Sequence, residues 1–109
     1  MAGKYLLIES RDPFESADSG FFAELAEGVQ ARGNQTTVFL VQNGAFLARK
    51  GAKFNERLEK LLKGKVRVLV DQFALKERAI NELVPGVEAI GMDKFVSLLM
   101  ETGVKALWH

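Results

Sequence analysis

Apolar residues along this chain fall into two alternating patterns, short near-continuous runs and longer stripes at helical spacing. Lys4–Glu9 (KYLLIE), Thr36–Gln42 (TTVFLVQ) and Lys65–Val70 (KVRVLV) are short runs rich in Leu, Ile and Val. That is the pattern of strands buried on both faces of a parallel sheet. After the first run comes a polar loop, Ser10–Ser19 (SRDPFESADS), with Pro13 and several possible N-caps. Phe22, Leu25, Ala26 and Val29 then fall at i, i+3, i+4 and i+7 and predict a helix to about Arg32, stopped by Gly33 and Asn34.

The second half repeats the alternation. Asn43-Gly44 turns the chain into a short helix, Ala45–Arg49, which Gly51 ends. Phe54, Leu58, Leu61 and Leu62 form a further helical stripe closed by Gly64. Gln72–Ile80 reads as a short helix, Pro85-Gly86 as a turn and Val87–Ile90 as a brief strand. Asp93 is placed to cap a last helix, Lys94–Thr102, ended by Gly103, before a final strand or extended tail, Val104–Trp108. Strands separated by helices imply crossover connections, a mainly parallel sheet and helices on both faces. Sites in such sheets lie beyond the C-terminal ends of the strands. The positions to interrogate are therefore Ser10–Ser16, Asn43–Phe46, Asp71–Phe73 and Gly91–Met92.

Composition narrows this without redirecting it. With 109 residues the chain is expected to be one domain, residues 1–109, without repeats, linkers or low-complexity segments. A hydrophobic fraction of 48% is enough for a core that needs no metal or disulfide as a staple. No apolar run approaches the length of a membrane span. The opening residues, interrupted by Glu9 and Arg11, are too short for a signal peptide, so the expected location is cytoplasmic, away from the membrane. Net charge is only +1, yet Arg49 to Arg67 carries eight basic residues against Glu56 and Glu59. Such a patch suits an acidic partner or RNA, but basic residues on one helix and its flanks are more often a solvated face, and nucleic acid is not the expected partner.

The loops exclude several chemistries. There is no cysteine, hence no disulfide, thiolate metal site or persulfide on this chain. Neither G-x-G-x-x-G nor G-x-x-x-x-G-K-[ST] occurs, and the first loop has no glycine before Gly20, so no nucleotide, FMN or other cofactor is expected. The single histidine is His109, the last residue given. A terminal imidazole is hard to hold rigidly, which argues against a catalytic histidine, a histidine metal site or a Ser-His-Asp set. Carboxylates remain: Glu9 and Asp12 after the first strand and Asp71 after the third. A carboxylate phosphoacceptor would also want paired acids in the first loop and a lysine at the end of the last strand, where Lys105 comes too early. The simpler role for Asp71 is to cap the helix behind it, accepting an N–H from Phe73 or Ala74. Phe14, Phe46 and Phe73 sit where loops meet the sheet edge, and three aromatics on one rim suggest an oligomer contact before a ligand pocket.

Several of these segments together resemble a known family. Lys4–Gln42, with its strand, Asp12-Pro13 loop, long helix and TTVFLVQ, is similar to the opening of the DsrE/DsrF/DsrH-like proteins. Gln42-Asn43-Gly44-Ala45-Phe46-Leu47-Ala48 looks like the family's turn into a short helix, and Val66–Ile80 like its third strand, site residue and helix. Val87–Trp108, with Asp93, Phe95, Val96 and the closing Leu107-Trp108, resembles the DsrH branch most.

The resemblance implies a three-layer α/β/α fold with a five-stranded, mainly parallel sheet. It also implies homo-oligomers, trimers or hexamers, or assemblies of paralogous subunits. Several members relay sulfur as a cysteine persulfide, in sulfur oxidation or tRNA thiolation, and the active ones hold the cysteine at the end of the third strand. Here that position is Asp71, and a carboxylate cannot form a stable persulfide. The expectation is therefore a non-catalytic member, a structural or partner-binding component of intracellular sulfur relay that meets a sulfur-carrier protein. The alternative is a stand-alone small-ligand-binding protein using a rim of Asp12, Asn43, Gly44, Asp71 and Gln72, with Phe14, Phe46, Phe73 and Trp108 as interface candidates.

Overall fold

The structure, a computed structural model, describes residues 3–11, 19–52 and 55–109. The sequence positions Asp12, Pro13, Phe14 and Phe54 lie outside the described residues. In chain order the elements are β1 (Lys4–Glu9), α1 (Ser19–Ala31), β2 (Gln35–Leu40), a 3-10 helix (Gln42–Ala48), α2 (Asn55–Lys63), β3 (Arg67–Asp71), α3 (Gln72–Glu77), β4 (Glu88–Ile90), α4 (Met92–Leu99) and β5 (Val104–Trp108). The five strands form one sheet in the order β4-β3-β2-β1-β5, parallel in every pairing. Val104–Trp108, left open as strand or tail, is thus a strand. It lies beside β1, Lys4 opposite Val104 and Ile8 opposite Trp108.

Period-two alternation divides the strand residues between two cores. Leu7, Val38, Leu40, Val68 and Val70 point to one face, where Ala26 of α1, Leu58 and Leu61 of α2 and Ala74 and Leu75 of α3 pack on them. Leu6, Ile8, Phe39, Val41 and Leu69 point to the other, and Phe95 of α4 packs there with Leu98 beside it. The first three crossovers connect neighbouring strands on the first face. The last must carry the chain from one sheet edge to the other, and among the described residues α4 is the one helix that covers the second face. The sheet therefore has helices on both faces in three layers, thick on one side and thin on the other. Phe95 anchors the thin side, its ring stacked on Phe39 with centroids 4.3 Å apart.

Local chemistry explains most element ends. Gly33 closes α1 at φ +87°, where a side chain would be strained, and its N–H donates to the Gln30 carbonyl. The Asn34 amide ties that turn to the sheet, accepting from Gly3 N at 2.9 Å and donating to Val29 O at 3.0 Å. Several boundaries differ from the pattern reading: the TTVFLVQ strand ends at Leu40, the third strand is Arg67–Asp71, the helix from Gln72 ends at Glu77 and the last helix ends at Leu99. Two helix starts differ for a local reason. The short helix expected over Ala45–Arg49 is a 3-10 helix that begins three residues earlier, at Gln42, because Gly44 N already donates to Val41 O. The last helix begins at Met92, with Gly91 as N-cap and no side-chain cap, so Asp93 lies inside its first turn and does not cap it.

Candidate functional site

Parallel strands put all their C-terminal ends along one edge of the sheet, and the chemistry-bearing residues gather there. Asp71, the last residue of β3, has extended backbone and caps α3, its Oδ1 accepting from Phe73 N at 3.2 Å. That is the capping role read from the sequence. Asp71 is only 7% exposed, and among the described residues this cap is its side chain's one hydrogen bond. Beside it opens a cleft of about 360 Å³. Val41, Phe95 and Ala74 form its depth, and Phe73, Met92 and Trp108 its exposed sides. Gln42 and Glu77 complete the wall. Gln42 holds a left-handed φ of +50°, a conformation that costs energy for a non-glycine residue.

Of the expected rim, Asp12 lies outside the described residues, and Asn43 and Asp71 line different hollows. Asn43 and Phe46 face a separate hollow, lined with Glu77 and Arg78. There the Asn43 Oδ1 accepts two bonds from the Arg78 guanidinium, from Nε at 3.2 Å and from Nη2 at 3.0 Å. Phe46 is half-buried with the Arg78 and Arg49 guanidiniums at 5.8 and 5.9 Å from its ring centroid. It stands apart from the exposed pair Phe73 and Trp108, and Phe14 lies outside the described residues. Gln72 is exposed, its Oε1 close to Gly91. Gly44 is buried against the end of β1, and a Cβ there would sit 2.2 Å from the Glu9 carbonyl oxygen. It serves close backbone packing. Glu77 alone borders both hollows.

The pattern reading missed one cluster. Glu9 ends β1 with its side chain 2% exposed. Its Oε1 accepts from Arg11 N at 2.8 Å, and its Oε2 lies 2.7 Å from His109 Nδ1. The terminal imidazole is therefore held, against the expectation that it would not be. The β1–β5 ladder runs one residue past β5: His109 N donates to Ile8 O at 2.8 Å, and Ser10 N donates to His109 O at 3.1 Å. Ser10 Oγ also donates to that backbone oxygen, at 2.9 Å, and not to the ring. No Ser-His-carboxylate relay is formed by these three. Arg57 of α2 borders a small hollow against the same carboxylate.

Among the described residues no phosphoacceptor arrangement is assembled around Asp71. Lys105 lies opposite Tyr5 near the start of the sheet, its Nζ 5.8 Å from that ring, at the far end of the strands from Asp71. The basic residues flanking α2 are mostly exposed, and Lys60 pairs with Glu27 at 3.6 Å. Among the described residues no helix is long and apolar enough to cross a membrane.

Comparison with known proteins agrees with this architecture. The model of the DsrE/DsrF-like family matches residues 3–107. That match is to the family as a whole and does not assign the DsrH branch. The YchN protein of E. coli superposes with a TM-score of 0.84 at 19% identity, covering 98% of this chain and 100% of that one. MTH1491 of Methanobacterium thermoautotrophicum, a protein of unknown function, gives 0.83 at 15% identity with both chains fully covered. BT1422 of Bacteroides thetaiotaomicron, also of unknown function, gives 0.78 at 14% identity, covering 97% and 95%. No curated protein matches the sequence.

Proposed function

Because the chain belongs to the DsrE/DsrF-like family, we propose that it is a non-catalytic member, a structural or partner-binding component of an intracellular sulfur-relay assembly. The observation that carries this reading is Asp71. It stands at the end of β3, where the sulfur-carrying proteins the sequence resembles hold their cysteine, and its carboxylate is spent on a backbone N–H of α3. A cap needs a hydrogen-bond acceptor that keeps its electrons, whereas sulfur relay needs a thiolate that attacks a persulfide. With no cysteine in the chain, no other side chain takes up that task. What such a subunit contributes is surface, and the exposed Val96, Leu99 and Met100 on and just after α4 are apolar area suited to a partner. The assembly is a homo-oligomer or includes paralogous subunits and a sulfur-carrier protein.

The test is affinity capture of the tagged chain from its host, with light scattering on the purified protein. The expected result is a multi-copy particle that brings down a protein bearing a persulfide-forming cysteine. A monomer without such a partner overturns the reading. The Asp71→Cys variant, offered a small-molecule persulfide, probes the same site from the other side. If it gains one sulfur by mass spectrometry, the scaffold lacks only its nucleophile.

A further inference from the structure

The strand-end cleft carries a chemistry that sulfur relay does not call for, and its case is independent of that role. Its exposed walls are apolar: Phe73 and Trp108, each 65% exposed, and Met92, 51% exposed. Its charged lining is of one sign, Asp71 and Glu77, with no Lys, Arg or His among the lining residues. Glu77 is shared with Arg78, at 3.6 Å, and that guanidinium is turned toward Asn43. Among the described residues no cation pairs with Asp71. Its single hydrogen bond, from Phe73 N, occupies one oxygen. Asp71, 7% exposed, is one of the residues that line the cleft. A carboxylate so far withdrawn from water gains most from a counter-charge that brings little hydration of its own. Aromatic faces attract the same kind of cation. A volume of about 360 Å³ is in the range of small-molecule sites.

We infer that this cleft binds a free small organic cation of the alkylated-ammonium class, with Asp71 as counter-charge and Trp108 and Phe73 as aromatic walls. Such a head group donates few or no hydrogen bonds, which suits a lining with two aromatic side chains and a thioether beside its carboxylates.

Trp108 is the only tryptophan of the chain, so its fluorescence reads the cleft directly. Choline chloride is titrated at constant ionic strength beside dimethylbutanol, its uncharged carbon isostere, and a short lysine peptide. The expected result is a saturable change with choline, at an affinity about tenfold or more above that of the alcohol. Asp71→Asn keeps a capping side chain and is expected to weaken choline by about tenfold. Should that variant fail to fold by circular dichroism, Glu77→Gln, on a half-exposed carboxylate, is expected to weaken choline by a smaller factor. The proposal is overturned by an absent or non-saturable response. Equal binding of the alcohol, or affinity unchanged in both variants, overturns it too. Response to the lysine peptide alone makes the cleft a protein contact and also overturns it.

Discussion

Two glycines show how much a single Cβ decides in this molecule. Gly44 approaches the end of β1 so closely that an alanine Cβ would lie 2.2 Å from Glu9 O and 2.9 Å from Glu9 C, both backbone atoms. Neither can move without disturbing the bond from Val41 N to that same carbonyl. Gly44→Ala is expected to destabilise by about 1–3 kcal/mol, seen as a lower urea midpoint at unchanged slope. Gly28, inside α1, has no foreign atom within 4 Å of its added Cβ. Gly28→Ala is expected to stabilise by about 0.5–1 kcal/mol through helix propensity. The family's turn motif marks Gly44 as notable in the sequence, but not why. Its reason is a contact with Glu9 across 35 positions, which local pattern does not carry.

At the scale of elements, the strands were legible because β1, β2 and β3 are buried on both faces and read as continuous apolar runs. The helix starts were less so. Asp93 has the residue type of a cap, yet the chain leaves β4 at Ile90 and turns at once through Gly91, so the helix begins before Asp93 is reached. Asp71 was legible because strand and helix adjoin without a loop, leaving one residue to do the capping. Removing that acceptor should cost about 0.5–2 kcal/mol in Asp71→Ala, and a few tenths at most in Asp71→Asn, by chemical denaturation. A cost in the asparagine variant equal to that of alanine would assign the stability to charge and not to the cap. The Glu9–His109 pair was illegible for a different reason. The two residues are 100 positions apart, and they meet only because β5 returns to lie beside β1 in a particular register.

For the whole molecule, the unequal covering of the two sheet faces is what bears on assembly. The thin face depends on α4, which turns Phe95 inward and leaves Met92, Val96, Leu99 and Met100 exposed at 51%, 49%, 37% and 79%. Those four fall at i, i+4, i+7 and i+8, one stripe along the outer side of the helix. On β5, the edge strand, Trp108 pairs with Ile8 and adds exposed apolar area on this side, while Leu107 pairs with Leu7 on the other face. A stripe continuous along a helix, beside an open strand edge, is more apolar surface than isolated exposed residues explain. If the chain assembles as proposed, this side is where copies or paralogues meet. The paired substitution Val96→Lys and Met100→Lys then introduces like charges at that contact without touching Phe95 or either core. It is expected to lower the mass measured by light scattering toward one chain, with the circular dichroism spectrum unchanged. An unchanged multi-copy mass moves the contact elsewhere, to the strand-end edge around Phe73. A wild-type chain that is monomeric at every concentration leaves α4 with an apolar face that no copy covers, and removes the homo-oligomeric half of the proposed function.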